Sequence, residues 1–250
     1  MEFSIIVPTY MEEGCIERCL RSIGDQRYQR KEFEIIVSDA RSTDHTADIA
    51  RQYADNVIVE DRKGIAYGRN VGAKKARGDI LIFVDADATL DQDFLSQCHQ
   101  EFSNPAIIGM TGVAKPSDGD MLQRFVYRST YGMVRLFDLF GLSLFPGICV
   151  AYRRSVFLDM GGFREDFGIV EDLDLSRRIS RQGICTINSK AYAFVSTRRL
   201  EKHFLSTVVF HIYCDLKYLF TGKAPSLYPK TEELHTWRDL WKQLFHTKNK

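Results

Sequence analysis

The N-terminal part of the chain alternates short, mostly apolar runs with longer stretches of mixed polarity. Phe3-Ser4-Ile5-Ile6-Val7 is the first run, and Pro8, which donates no backbone N–H, stops it. Phe33-Glu34-Ile35-Ile36-Val37, Asn56-Val57-Ile58-Val59 and Ile80-Leu81-Ile82-Phe83-Val84 follow. Runs of this kind predict strands, and the last, which is uninterrupted, predicts a place in mid-sheet. Between them the pattern predicts helices over about 12–24, about 44–53 and Gly64 to Arg77. Ser42 or Thr43 would cap the second helix and Gly78 would end the third. Such alternation predicts βαβ units and a largely parallel sheet. Ligands of these sheets gather beyond the carboxyl ends of the strands, which directs attention to Thr9-Tyr10, Asp39 and Asp85-Ala86-Asp87.

Beyond about residue 110 the pattern loosens. Residues 121–145 interleave Phe125, Tyr127, Tyr131, Phe137, Phe140 and Phe145 with Arg124, Arg128 and Arg135, and residues 146–195 read as strand, turn, helix, strand. From 198 to 250 ten Lys and Arg stand against five Asp and Glu. Two apolar stripes recur there at helical spacing, one from Leu205 through Val208, Val209, Ile212 and Leu216 to Leu219, the other over Trp237, Leu240, Trp241 and Leu244. Basic amphipathic helices of this kind either lie on an anionic membrane or cover a core or a second subunit, and the pattern leaves the choice open.

At 44% apolar and 12% aromatic residues the chain has material for a sizeable core. Its net charge of +1 argues against nucleic acid as the main partner. The six cysteines include no CxxC and no Cys/His group with zinc spacing, which suits a reduced, cytoplasmic setting. The start lacks the basic region of a signal peptide, and no uncharged apolar run reaches the length of a membrane span.

Asp85 and Asp87, two positions apart at the end of the most apolar strand, have the oxygens to hold one hard divalent cation whose other ligands are water and phosphate. An ordinary acidic turn is the plain alternative. Glu171-Asp172 opens a helix running to about Arg181, where acidic side chains are favourable against the helix dipole whatever else they do. Asp44 is read as a cap for the helix after it.

Taken together, the ordered set Val7-Pro8-Thr9-Tyr10-Met11-Glu12-Glu13, Asp39-Ala40-Arg41-Ser42-Thr43-Asp44, Gly64 with Arg69-Asn70 and Gly78-Asp79, Asp85-Ala86-Asp87, Gly161-Gly162-Phe163-Arg164-Glu165 and Glu171-Asp172-Leu173-Asp174-Leu175 resembles glycosyltransferase family two over roughly residues 3 to 185. The resemblance implies an α/β fold of the GT-A type: a Rossmann-like, mostly parallel central sheet flanked by helices, here with a helical, basic and aromatic C-terminal appendage. It implies a nucleotide-sugar-binding half over 1–110, an acceptor-binding half over 111–200 and an extension over 201–250. It assigns the base and ribose of the donor to Pro8, Thr9, Tyr10 and Glu12, a base N–H to Asp39, and the diphosphate to Arg69, Asp85, Ala86 and Arg199. Mn²⁺ or Mg²⁺ falls to Asp87 and Asp85, with His203 as a third ligand, the acceptor side to Gly161, Gly162 and Glu171, and the catalytic base to Asp172.

The implied activity is inverting sugar transfer from a nucleoside-diphosphate sugar, UDP- ahead of GDP-, to a hydroxyl of a saccharide or lipid-linked acceptor. The protein would work in the cytoplasm or on the cytoplasmic face of a membrane, and self-association is left open. Two departures stand out: Met11 occupies a position where the family usually has Asn, and Arg41 one where it usually has Gly. A polyprenyl-phosphate sugar synthase and a non-catalytic nucleotide-sugar binder are the alternatives. Ala88-Thr89-Leu90 after the acidic motif, and the retained Glu171-Asp172, speak against the first.

Overall fold

The computed structural model describes residues 1–119, 121–196 and 204–224. The four apolar runs are strands β1 (Phe3–Thr9), β2 (Phe33–Asp39), β3 (Asn56–Val59) and β4 (Ile80–Val84), though Pro8 does not stop β1, which stays paired with β2 as far as Thr9. Three helices connect them: α1 (Ile16–Gly24), α2 (Thr46–Ala50) and α3 (Ile65–Lys75). Then come β5 (Ala88–Leu90), α4 (Phe94–Phe102), β6 (Ile107–Pro116), α5 (Met121–Leu139), β7 (Cys149–Arg153), α6 (Arg154–Asp159), α7 (Glu171–Ile179), β8 (Ile184–Val195) and α8 (Phe204–Thr221).

The helices of the first half are shorter than the pattern predicts, for a local reason. The amides of Glu12 and Glu13 donate to Thr46 Oγ1 and Asp44 Oδ2 (2.8 and 3.3 Å), so this segment is tied to the β2–α2 connection before α1 begins. Asp44 Oδ1 accepts the Thr46 amide at 3.0 Å at the head of α2, but the N-cap position is His45 and carries no side-chain cap, so Ser42, Thr43 and Asp44 do not hold the capping position expected of them. Gly78 is not a helix stop: α3 ends before it. A Cβ at Gly78 would stand 2.5 Å from the carbonyl carbon of Phe3, and its amide donates to Ser4 Oγ at 2.8 Å, so the residue is small to let the chain press against β1.

The eight strands form one sheet in the order β3-β2-β1-β4-β7-β6-β8-β5. The strands of the first half are parallel, as their alternation with helices predicts. The polarity reverses at β7, which runs antiparallel to β4 and to β6. β6 and β8 are parallel again, and β5 is antiparallel to β8, so the farther half is mixed. Successive side chains leave a strand on opposite faces. Phe3, Ile5, Val7, Ile80 and Ile82 pack with α1 and α4 on one face, and Ile6, Leu81 and Phe83 pack with α3, α6 and α7 on the other. A smaller cluster joins Phe167, Ile169 and Val170 to Phe210, Cys214 and Tyr218 of α8. The six cysteines are all free, five of them buried. Among the described residues no helix is long and apolar enough to cross a membrane.

Candidate active site

The carboxyl ends of β1 and β2 form a corner built on one buried carboxylate. Asp39 is fully buried; its Oδ1 accepts the hydroxyls of Thr9 (2.9 Å) and Ser42 (2.6 Å), and its Oδ2 accepts the Ser42 amide (2.8 Å). Thr9 and Glu12 are buried beside it, Pro8 is half-buried and Tyr10 is exposed. Lys63 Nζ stands 4.0 Å from the centre of the Tyr10 ring, a cation–π contact.

Met11 and Arg41 both hold a left-handed backbone, with φ of 56° and 50°. Asn and Gly accept that conformation at little cost, which gives the two departures from the family pattern a physical meaning. Here side chains brace it: Ser42 Oγ accepts the Met11 amide (2.9 Å), and Arg41 pairs with Asp61 at 2.5 Å.

A second constellation lies where β4 ends. Arg69 leaves α3 and is 1% exposed. Its Nη1 donates to Glu171 Oε1 and its Nη2 to Asp85 Oδ1, both at 2.8 Å, with a third bond from Nη2 to the Gly147 carbonyl at 3.2 Å. The guanidinium carbon sits 5.1 Å from the centre of the Phe163 ring. Burial works against the charge on Arg69, but Asp85, Glu171 and Asp172 outweigh it and hold the group more basic than usual. Glu171 is pushed up from the ordinary carboxylate range, first by burial and then by the charge of Asp172, since three carboxylates around one guanidinium leave an excess of negative charge.

Asp172 is the second residue of α7 and is half-buried; its Oδ2 accepts the Gly147 amide at 2.6 Å and its Oδ1 the Leu173 amide at 2.8 Å. Gly147 must be small: a Cβ there would stand 2.5 Å from Arg69 Nη2, which the ion pairs hold in place. Ala86 is buried between Asp85 and Asp87, and Asp87 is 5% exposed. Gly161 and Gly162 turn the chain after α6 at φ of 75° and 70°. Arg178 grips that turn through the carbonyls of Met160 and Gly162 (both 2.7 Å), and Asn70 clasps Phe163 by its amide and carbonyl (both 2.9 Å).

The structure therefore brings Arg69, Asp85, Glu171 and Asp172 together, and Thr9, Asp39 and Ser42 at the neighbouring strand ends. Arg199, His203 and the stripe from Trp237 to Leu244 lie outside the described residues. Among the described residues no three His, Cys, Asp or Glu side chains form a metal cluster. The oxygens of Asp85 and Asp87 nevertheless fit a cation that draws its remaining ligands from phosphate and water.

Two features escape sequence reasoning. Val170, just before Glu171, holds φ at 64°, a strained value for a β-branched residue, while buried under α8. Asp215 comes from α8: burial, reinforced by the charge of Asp172, pushes its carboxyl up to about 7. Tyr218, on the same helix, donates its hydroxyl to Asp174 Oδ1 at 3.0 Å. For Asp215 and Tyr218 the one available signal was the helical stripe from Leu205 to Leu219, which spans them without including them; Val170 had none.

Residues 4–161 match the model of glycosyl transferase family 2. The chain belongs to that family. Its fold is the GT-A fold. A mannosyltransferase from Pyrobaculum calidifontis, solved with GDP-Man and Mn²⁺, superposes with a TM-score of 0.73 at 25% identity, over 90% of this chain and 66% of that one. The poly(ribitol-phosphate) β-N-acetylglucosaminyltransferase TarS of Staphylococcus aureus is 28% identical over 225 residues, 84% of this chain. Glycosyltransferase AglE of Haloferax volcanii is 28% identical over 189 residues, 72% of this chain. The chain spans 38% of TarS and 62% of AglE.

Proposed function

We propose that the protein transfers a sugar from a nucleoside-diphosphate sugar, UDP- ahead of GDP-, to a hydroxyl of a saccharide or lipid-linked acceptor, with inversion at the anomeric carbon. The observation that carries this reading is the buried Arg69–Asp85–Glu171 network, which sets Asp172 beside the end of β4. Membership of glycosyl transferase family 2 supports it, as does the likeness to a mannosyltransferase solved with GDP-Man and Mn²⁺.

In this reading Thr9, Asp39 and their neighbours receive the base and ribose, residues 1–110 form the donor half and 111–200 the acceptor half. The acceptor oxygen forms its bond to the anomeric carbon as the bond to the diphosphate breaks. Asp172 takes the hydroxyl proton, and its bonds from the Gly147 and Leu173 amides keep the carboxylate aimed. Asp85 and Asp87 would hold Mn²⁺ or Mg²⁺, which supplies positive charge to the departing diphosphate. Arg69 positions Asp85 and Glu171 and leaves the phosphates to groups nearer solvent. An acceptor that is already a phosphate would meet Glu171, Asp172 and Asp215, so a neutral hydroxyl is the better partner.

Thermal unfolding against a panel of nucleoside diphosphates, with and without Mn²⁺, tests the donor side. At about 100 times its Kd one nucleotide should add roughly 2.7 kcal/mol to the wild type with metal present. Asp87→Ala should lose that gain. Asp172→Asn should keep it while turnover falls by about 10³-fold. A panel without any shift would sink the donor reading, and full turnover by Asp172→Asn would remove the base.

A further inference from the structure

Helix α5 lies within the 111–200 half, but the sugar-transfer reading gives no role to any residue on its exposed surface. Met121, Phe125, Leu136 and Leu139 fall on one side of it, and they are 87%, 66%, 54% and 83% exposed. At the helical turn of about 100° per residue these four positions lie within a stripe of roughly 60°. Phe140, 76% exposed, extends the stripe just past the helix. Arg124, Arg128 and Arg135 share the next sector of the same helix, all along one flank of the stripe. Met121, Arg124, Phe125, Arg128 and Ser129 together line a shallow groove. The helix has one acidic residue, Asp138, which points elsewhere and accepts the Ser143 hydroxyl at 3.1 Å. Its opposite side is anchored: Gln123 and Val134 are buried, and Val134 joins the core cluster that holds Phe145 and Val150.

We propose that α5 is an interfacial helix that docks the protein on an anionic lipid bilayer. Large apolar side chains left in water beside a row of arginines match the boundary between acyl chains and acidic headgroups. The apolar stripe enters the acyl boundary and the guanidinium groups lie at headgroup level, where they pair with phosphate or carboxylate. A span is excluded for this helix, so it lies flat.

Charge complementarity selects this occupant over two others. In a symmetric pair of copies the same patch faces itself, which brings two rows of arginine together with no acidic row to meet them. The C-terminal residues from 225 onward hold five Lys and Arg against three Asp and Glu, and so carry the same sign as the arginine flank. The docking helix is independent of the donor site, and its failure would leave the transfer reading untouched.

Co-sedimentation of the full chain with vesicles tests the proposal, comparing phosphatidylcholine alone with phosphatidylcholine containing about one third phosphatidylserine. Binding is expected on the anionic vesicles only and should weaken at high salt. Each of Arg124→Gln, Arg128→Gln and Arg135→Gln should lower partitioning about fivefold, from roughly 1 kcal/mol per arginine at an acidic surface. Phe125→Ser should lower it further with the salt dependence unchanged. The variants should keep the wild-type unfolding temperature and nucleotide-induced stabilisation, which separates lost docking from lost fold. Equal binding to both vesicle types, or full binding by the triple Gln variant, would overturn the proposal. So would a concentration-dependent dimer that these substitutions abolish, since a second copy would then be the occupant.

Discussion

Helices α3 and α5 both carry arginine, and the two uses of that residue could hardly differ more. Arg69 of α3 is enclosed; its two Nη groups bond two carboxylates and a carbonyl, while its buried Nε has no partner. Arg124, Arg128 and Arg135 of α5 line the margin of an exposed apolar stripe. A buried guanidinium must find partners of fixed geometry, because an unpaired charge inside a protein is costly. On α5 Arg124 Nε donates to the Gly119 carbonyl at 3.3 Å and Arg135 stands over the Tyr131 ring, and neither contact is with a carboxylate. The difference teaches that arginine content says little by itself. Enclosure decides whether the residue builds the site or meets the surroundings.

The largest expected effect tests the enclosed end of that comparison. Arg69→Met leaves Asp85, Glu171 and Asp172 crowded without their cation, and should cost about 3–5 kcal/mol in denaturant unfolding. Arg69→Lys should recover only part of this, since one ammonium cannot make the fork of bonds to both carboxylates. A cost below about 1 kcal/mol for the methionine variant would break the comparison.

Asp215 gives an intermediate case, a carboxylate only partly enclosed. Its ordinary value of 3.8 rises to about 7 in the fold. The folded state therefore binds the proton more tightly than the unfolded chain, and this contribution is complete below about pH 4 and lost as pH rises through 7. Wild-type stability should fall by about 2 kcal/mol between pH 5 and pH 8 relative to Asp215→Asn, after allowance for residual solvent. Parallel stability curves for the two proteins across that window would show that burial does not raise the Asp215 carboxyl. The smallest effect belongs to the open helix: Arg128→Gln should change unfolding stability by no more than about 0.5 kcal/mol.

Much of the fold was legible because a strand covered on both faces needs a mostly apolar run: β4 has an uninterrupted one, and the runs of β1 and β2 are each broken once, by Ser4 and Glu34. Asp39, Asp85 and Asp87 follow from the ends of those runs. The reversal of strand direction at β7 was not legible, since Cys149–Arg153 would read the same in either direction. Nor were the partners of Arg69. An arginine on a helix gives no hint that the carboxylate beside it lies 102 residues away. Helix lengths were overestimated where Glu12, Glu13 and Asp44 form side-chain and amide bonds that periodicity does not register. Met11 and Arg41 looked like mere departures from a pattern until their backbone showed why Asn and Gly would be at ease there.

The antiparallel entry of β7 has one more consequence. Val84, the last residue of β4, lies opposite Cys149, the first of β7, so an outgoing chain and an incoming chain reach the same rim side by side. The outgoing chain delivers acidic side chains; the incoming one delivers a backbone amide, that of Gly147, to Asp172. The two sides of that rim thus belong to segments far apart in the chain. Lengthening or shortening the stretch between α5 and β7 would shift the Gly147 amide, and with it the hold on Asp172, while the ends of β1 to β4 stayed as they are.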